Sequence, residues 1–385
     1  MRPTMPKNRR LLVVARWPLG GIRTYMRYVY GRMDGDWEIT ILAASTPEDG
    51  ALKADAEALG LRLVLSPPSV KGLLSCLVRT LAGRRYDLIQ SQGFISAVIA
   101  CAANIPFSRP HVLTVHGILE DRLLQGVKGR LKRLATNRAI LSVDAVYAVS
   151  RDILAHLQEQ VPGLAASRVR QVSILNGIDP AIFLAPGTPG AFRARHGIPA
   201  DVFLFGFLGR FMPQKGFDKI VAALARLEEE RPAGPDYRLV AVGSGDYKDF
   251  YARMAAERGV GGRIVFLPFQ RDVAEIYRDL DAVVMPSNWE ACPLQPMEAL
   301  ISGVPLVASD CIGLREVVRD TPALVVPGGE PEALTRAMAS LLSGGAREQF
   351  QAFRQEASRR FDAARTAQQV ERLFDEMIPA GESAA

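Results

Sequence analysis

The stretch Asp281-Ala-Val-Val-Met-Pro-Ser-Asn-Trp-Glu290-Ala-Cys-Pro-Leu-Gln-Pro-Met-Glu298-Ala-Leu-Ile-Ser-Gly-Val-Pro-Leu-Val-Ala-Ser-Asp310 decides how the rest of the chain is read. Its apolar run from Ala282 to Met285 is too short for a helix and stops at Pro286, so it predicts a buried strand. A loop carrying Glu290 follows. Pro296 then suits the first turn of a helix that Met297 to Ile301 continue, and Gly303 with Pro305 stops it. Val304 to Ala308 is the next apolar strand. A carboxylate at Glu298, inside a first helical turn, is explained by the positive end of the helix alone. Glu290 has no such explanation. It falls at the C-terminal mouth of a parallel strand, where open α/β sheets place their ligands.

Outward from this unit the same rhythm repeats. Short apolar runs predict strands at Leu11–Ala15, Glu38–Ala43, Leu61–Leu65, Asp87–Gln90, Val112–Val115, Ala145–Val149 and Gln171–Leu175. The rhythm restarts with Phe203–Leu208, Arg238–Val242, Ile264–Leu267, Ala282–Met285, Leu306–Ala308 and Ala323–Val325. Helix-period segments such as Thr24–Arg32 and Gly72–Ala82 lie between, which implies parallel sheets covered on both faces. A chain of 385 residues exceeds one comfortable core, and the Pro/Gly-rich stretch from Ala185 to Gly190 lies where two domains would join. Asn176-Gly177-Ile178-Asp179 reads as a turn with glycine at positive φ.

Composition excludes several classes. At 48% hydrophobic and 23% charged residues the chain is globular in character. Cys76, Cys101, Cys292 and Cys311 are scattered without ligand spacing, which argues against a disulfide framework and a zinc site and fits a reducing cytoplasm. Four histidines, none in an H-E-x-x-H pattern, make a His-rich metal centre unexpected. The apolar run after Arg9-Arg10 is interrupted by Arg16 and reads as a first strand rather than a secretory core. No run is long enough to span a bilayer. Charge is uneven: residues 1–180 hold 24 Lys and Arg against 14 Asp and Glu, net +10, while residues 181–385 are net −4. A basic first half points to an anionic partner or surface on that side. Nucleic acid is not expected, because no helix-turn-helix or RNA-recognition pattern accompanies the charge.

Three further sites sit at strand ends. Gly209-Arg210-Phe211-Met212-Pro213-Gln214-Lys215-Gly216 follows Phe203–Leu208; a planar guanidinium and a point-charge ammonium five residues apart suit a diphosphate, although two solvated surface cations are the bland alternative. Gly20-Gly21 follows the first strand and permits close backbone approach to a phosphate or sugar, or forms a plain turn. It is not a dinucleotide fingerprint, and Gly243-Ser244-Gly245 also lacks the third glycine. His116, in Leu-Thr-Val-His-Gly, closes a strand at its mouth.

The pair Glu290 and Glu298, set in Pro-Ser-x-x-Glu-x-x-Pro-Leu and followed by Gly-Val-Pro-Leu-Val-Ala, resembles the E-x7-E signature of the retaining family-4 glycosyltransferases (glycosyltransferase group 1). Gly209-Arg210 with Lys215-Gly216, Gly20-Gly21 where the family has its Gly-Gly-Ile-x-Arg loop, His116, and Asn-Gly-Ile-Asp at 176–179 extend that resemblance over nearly the whole chain. It implies the α/β GT-B architecture: two facing Rossmann-like domains with parallel sheets, the active cleft between them, and a C-terminal helix crossing back to the first domain. Residues 1–180 would bind the acceptor, residues 181–360 a nucleotide-diphospho-sugar, UDP- or GDP-linked, and residues 361–385 would pack back. By the same resemblance Arg210 and Lys215 stabilise the departing diphosphate, assisted by Gly209 and the helix start at Leu294. Glu290 holds sugar hydroxyls, Glu298 the ribose, and His116 touches the sugar. Family members retain anomeric configuration and need no metal or other cofactor.

The sequence departs from the pattern in three places. Gly117 stands where Asp is common, Ala291-Cys292-Pro293 where Gly-Phe-Gly is frequent, and Phe361-Asp362-x-x-Arg365 lacks a tryptophan. Pro293 removes one backbone donor, so a phosphate contact must come from Leu294 or beyond. The implied activity is transfer of a sugar, as a hexosyltransferase, to a glycan or lipid-linked acceptor in envelope or extracellular polysaccharide synthesis. A sugar-nucleotide epimerase of the same fold and a non-catalytic subunit remain alternatives, the latter disfavoured by the presence of Arg210, Lys215, Glu290 and Glu298. Finally, Arg122 to Leu141 reads as a helix with Leu123, Leu124, Val127, Leu131 and Leu134 on one side. Arg122, Lys128, Lys132 and Arg133 lie mostly on the other side, with Arg130 on the flank. Either the stripe packs on its own domain, or the segment Arg122–Arg138 rests on an anionic membrane, placing a cytoplasmic enzyme peripherally on the inner face of the cell membrane.

Overall fold

The computed structural model describes residues 9–34, 36–47, 49–119, 126–230, 236–328 and 330–378. Among the described residues thirteen strands fall in two sheets, both wholly parallel. The first contains β1 (Arg9–Ala15), β2 (Trp37–Ala44), β3 (Arg62–Ser66), β4 (Leu88–Gln92), β5 (His111–Val115), β6 (Ala145–Ala148) and β7 (Arg170–Ser173), in the order β3-β2-β1-β4-β5-β6-β7. The second contains β8 (Phe203–Leu208), β9 (Tyr237–Val242), β10 (Ile264–Leu267), β11 (Ala282–Met285), β12 (Leu306–Asp310) and β13 (Leu324–Pro327), in the order β10-β9-β8-β11-β12-β13. Each order reverses once, between β1 and β4 and between β8 and β11. Loops leaving neighbouring strands there diverge to opposite faces and open the crevice that α/β sheets use for ligands.

The central strands are continuous apolar runs because helices cover both faces. Leu11 to Ala15 are fully buried, as are Ala282, Val283 and Val284. In the second unit Phe205, Phe207, Phe217, Leu224, Leu239 and Met338 share one core. In the first, Leu12, Val14, Leu77, Ile89 and Ile99 do so.

The chain divides into two compact units, one running to Gly177 and resuming at Ala363, the other spanning Ile178–Asp362. The last helical stretch is two helices, Arg347–Arg360 and Ala363–Met377. The second of these belongs to the first unit. Its Phe374 meets Trp37 edge-to-face at 5.7 Å, and Thr366 donates to the Leu175 carbonyl at 2.9 Å. The turn expected at Gly177 takes another form: Gly177 is absent from the positive-φ glycines, and the Ile178 amide donates to the Phe361 carbonyl at 2.8 Å.

The basic helix spans Gly126–Ile140; Arg122, Leu123 and Leu124 lie outside the described residues. Gly129, Ala139 and Ile140 are its buried residues. Val127, Leu131 and Leu134 are 76%, 63% and 67% exposed, so this apolar stripe does not pack on its own domain.

Candidate functional site

The mouth of the second sheet at its reversal point gathers most of the expected residues. Leaving β8, the Gly209 amide donates to the Val242 carbonyl at 3.0 Å and the Phe211 amide to the Ser244 carbonyl at 2.9 Å. The Phe211 ring lies 5.3 Å from Phe217 and 5.7 Å from Phe207, wholly buried, so the loop is nailed down on either side of exposed Arg210. Gly243 completes the arrangement. A Cβ there would stand 1.9 Å from the Gly209 carbonyl oxygen, so only glycine lets β9's exit lie against the Arg210 loop. The Gly243-Ser244-Gly245 segment, set aside as an incomplete dinucleotide motif, therefore supports this loop.

A 3-10 turn at Pro213–Lys215 then carries Lys215 inward. Leaving β11, the Glu290 amide donates to the Ile312 carbonyl at 2.9 Å, and the residue is 5% exposed. One oxygen, Oε1, accepts from Lys215 Nζ at 2.7 Å and from Ser287 Oγ at 2.7 Å. Ser287 is itself held, its carbonyl accepting from Ser309 Oγ at 2.5 Å. A carboxylate this deep needs a cation and further donors to offset its desolvation, and Lys215 and Ser287 supply both. The expected diphosphate cation and the expected sugar carboxylate are thus direct partners.

Glu298 is engaged separately. It lies in the first turn of helix Gln295–Ser302, and its Oε2 accepts from the Tyr277 hydroxyl at 2.8 Å. Burial, then the charge of Glu298, pushes the Tyr277 phenol well above its ordinary pKa, so Tyr277 stays a neutral donor. Phe183 supports the Tyr277 ring edge-to-face at 5.8 Å. Leu294 is the N-cap, without a side-chain cap, and Gln295 Nε2 donates to the Leu208 carbonyl at 3.2 Å, tying the helix start to the end of β8. First-turn amides aimed beside a strand mouth suit an anion. Among the described residues no group of three or more His, Cys, Asp and Glu side chains is placed to hold a metal ion.

In the first unit Gly20 has φ +54 and caps helix Gly21–Tyr30, with Gly21 as its first residue; both have open space around them. His116 follows β5, and burial lowers its pKa to about 3, so the imidazole is neutral at physiological pH. Two supporting residues, Tyr277 and Gly243, have roles that escape sequence reasoning. Their roles come from neighbours brought together by folding, with no local motif.

The family described as "Glycosyl transferases group 1" matches residues 190–360, and the "Glycosyl transferase 4-like domain" matches residues 20–177. A D-inositol 3-phosphate glycosyltransferase of Saccharomonospora viridis is 31% identical over 70% of this chain and 67% of the relative. The chain belongs to the group 1 glycosyltransferases. A second D-inositol 3-phosphate glycosyltransferase, of Salinispora arenicola, is 27% identical over 84% of this chain and 79% of its own. Among solved structures, HepE of Anabaena in complex with UDP and glucose superposes with TM-score 0.79 at 21% identity, covering 96% of this chain and all of that one. WaaG, a glycosyltransferase involved in lipopolysaccharide biosynthesis, superposes with TM-score 0.70 at 18% identity, covering 97% of this chain and 99% of that one. The fold is GT-B, with two Rossmann-like domains, and this group 1 enzyme is a glycosyltransferase.

Proposed function

We propose that this glycosyltransferase moves a hexose from a UDP- or GDP-linked donor, with retention and without a metal, to a glycan or lipid-linked acceptor of the envelope or extracellular polysaccharide. The observation that carries the reading is the Lys215–Glu290–Ser287 group beside Gly209 at the strand-order reversal. There a half-buried cation faces the place where diphosphate charge would develop, and the uncapped helix start at Leu294 adds amide donors. Arg210 closes on the diphosphate from the exposed side, Glu290 holds sugar hydroxyls, and Glu298, steadied by Tyr277, binds the ribose. His116 contributes to sugar recognition as a neutral imidazole. A panel of nucleotide sugars, followed by slow hydrolysis without acceptor and by transfer with one, tests the donor class. Turnover abolished by chelator and restored by Mg2+ would remove the metal-free mechanism. Acceptor-free conversion of one nucleotide sugar into its epimer would instead mark an epimerase.

Glu290→Gln is expected to lower sugar transfer far more than nucleotide affinity. Glu298→Gln should weaken the nucleotide by about tenfold, the size of one charge-assisted hydrogen bond, with a smaller effect on kcat. Isothermal titration with the nucleoside diphosphate, set beside steady-state kinetics, separates the two. The reverse pattern means the roles are exchanged.

The exposed stripe Val127, Leu131 and Leu134, with Lys128, Arg130, Lys132 and Arg133 on the same helix, supports an enzyme resting on anionic lipid to meet a lipid-linked acceptor. Each cation near such a surface contributes about 1 kcal/mol, so four hold a protein there reversibly. The expected result is co-sedimentation with phosphatidylglycerol vesicles at low salt, lost in high salt and with neutral vesicles. Changing the four cations to Ser should abolish it while leaving the thermal transition in place. A wild type that ignores anionic vesicles at low salt points to a soluble acceptor such as an inositol phosphate, which the relatives' names suggest.

A further inference from the structure

Behind His116 runs a buried chain of amides and hydroxyls that the proposed chemistry has not used. Gln90 and Gln92 lie two residues apart on β4, so their side chains leave the same face of the sheet. Helix Gly21–Tyr30 covers that face with Tyr25 and Tyr30. Both glutamines are essentially inaccessible, at 0% and 3% exposure. Burying an amide without partners forfeits its hydration, so such groups persist where their hydrogen bonds are made.

Here the bonds form one directed series. Gln92 Nε2 donates to the Tyr30 hydroxyl at 2.7 Å, Tyr30 donates to Gln90 Oε1 at 2.7 Å, and Gln90 Nε2 donates to Thr114 Oγ1 at 2.7 Å. That leaves Gln92 Oε1 facing His116 Nε2 at 2.6 Å. The register sets Gln92 opposite Thr114 on β5, and the Gly93 amide donates to the Thr114 carbonyl at 2.9 Å, so both strand ends are fixed. Tyr25 packs edge-on against the imidazole, ring centroids 5.0 Å apart.

We infer that Gln92 is the positioning residue of His116: its amide oxygen, able only to accept, fixes the imidazole in the tautomer protonated at Nε2 and leaves Nδ1 as a lone-pair acceptor for a substrate hydroxyl. The inference rests on the reading of His116 as a sugar-contacting residue. It adds which atom makes the contact and what that atom requires, namely a hydroxyl that donates. Because burial keeps the ring neutral, the Nδ1 lone pair stays available across physiological pH. Reversing both amides would run the series backwards and protonate Nδ1 instead, so the two directions are experimentally distinct.

Side-chain 15N shifts in histidine-labelled full-length protein decide this, with His116 assigned by the signal that His116→Gln removes among the four histidines. The expected spectrum shows a neutral ring protonated at Nε2 between pH 5 and 8 in wild type and a tautomer mixture in Gln92→Leu. An Nδ1-protonated ring in wild type overturns the inference. Kinetics supply the second readout. Gln92→Leu should lower kcat roughly tenfold, as misplacement of a contacting group does, with nucleotide affinity unchanged. Gln92→Glu sets a carboxylate beside the imidazole and raises its pKa, so transfer should gain a new titration and fall as pH drops through it, whereas wild type and Gln92→Leu lack that step. Equal losses in both variants with identical pH profiles would show Gln92 to be merely structural and overturn the inference. A pinned tautomer with unaltered turnover in His116→Gln upholds the pin and removes the sugar contact from the proposed function.

Discussion

Lys215→Ala is expected to lower turnover by ~10²-fold or more, the usual consequence of removing a preorganised charge from the place where transition-state charge develops. The distances explain why one side chain should matter so much. Lys215 is held against Glu290 at 2.7 Å, with side-chain exposures of 14% and 7%, so its ammonium reaches the strand mouth already ordered and partly desolvated. A charge in that setting acts through a lower effective dielectric than that of a solvated lysine. The same burial predicts a second effect. Without Lys215, Ser287 is the side-chain donor left to Glu290 among the described residues, and an uncompensated carboxylate at this depth costs about 3–5 kcal/mol. Thermal melts should show that loss, and Lys215→Ala combined with Glu290→Gln should recover part of it without recovering turnover. Nucleotide binding distinguishes catalysis from collapse. A folded Lys215→Ala protein should lose most of its preference for nucleoside diphosphate over monophosphate, because the contact proposed for Lys215 is to the terminal phosphate. Near-normal turnover in this variant would take Lys215 out of the site.

Where the expectations held, local chemistry and tertiary structure asked for the same thing. Strands such as Leu11–Ala15 and Ala282–Met285 are buried on both faces, and burial on both faces demands the uninterrupted apolar run by which they were recognised. Glu290 was legible because a carboxylate after such a run has no structural excuse. Its cation was not, since Lys215 reaches it from 75 residues away and nothing in the local pattern announces that. The same blindness cut β4 short. Ser91-Gln92 looks like the start of a loop, yet the strand continues to Gln92, because the polar series through Tyr30 and Gln90 satisfies amides that would otherwise keep it at the surface. The break at Phe361-Asp362 carries neither glycine nor proline, and what ends the helix is the tertiary bond from the Ile178 amide to the Phe361 carbonyl. At Gly126–Ile140 periodicity revealed a stripe but not what covers it, and coordinates were needed to find Leu131 and Leu134 facing solvent.

Gly313→Ala is expected to destabilise the protein by about 2–4 kcal/mol and to reduce turnover at least tenfold, although Gly313 carries no chemistry. The loop after β12 clasps the Glu290 backbone from behind. The Ile312 carbonyl accepts the Glu290 amide at 2.9 Å, and Gly313, at φ +77, turns back so tightly that a Cβ would stand 2.2 Å from the Glu290 carbonyl oxygen and 2.5 Å from that of Ala291. Both atoms are backbone, so neither can swing aside as a side-chain end would. The positive φ alone costs an L-residue roughly 1–2 kcal/mol, and the clash must then be relieved by moving Glu290, Gly313 or both. A shift of well under 1 Å in a contacting carboxylate is enough to lose an order of magnitude in rate. Gly60→Ala isolates the two contributions. Gly60 has φ +63 but open space around its α-carbon, so its substitution should cost only the backbone term and leave turnover unchanged. If Gly313→Ala proved as mild in kinetics as Gly60→Ala while melting lower, the backbone at Glu290 would tolerate displacement, and placement of that carboxylate would not be what limits the reaction.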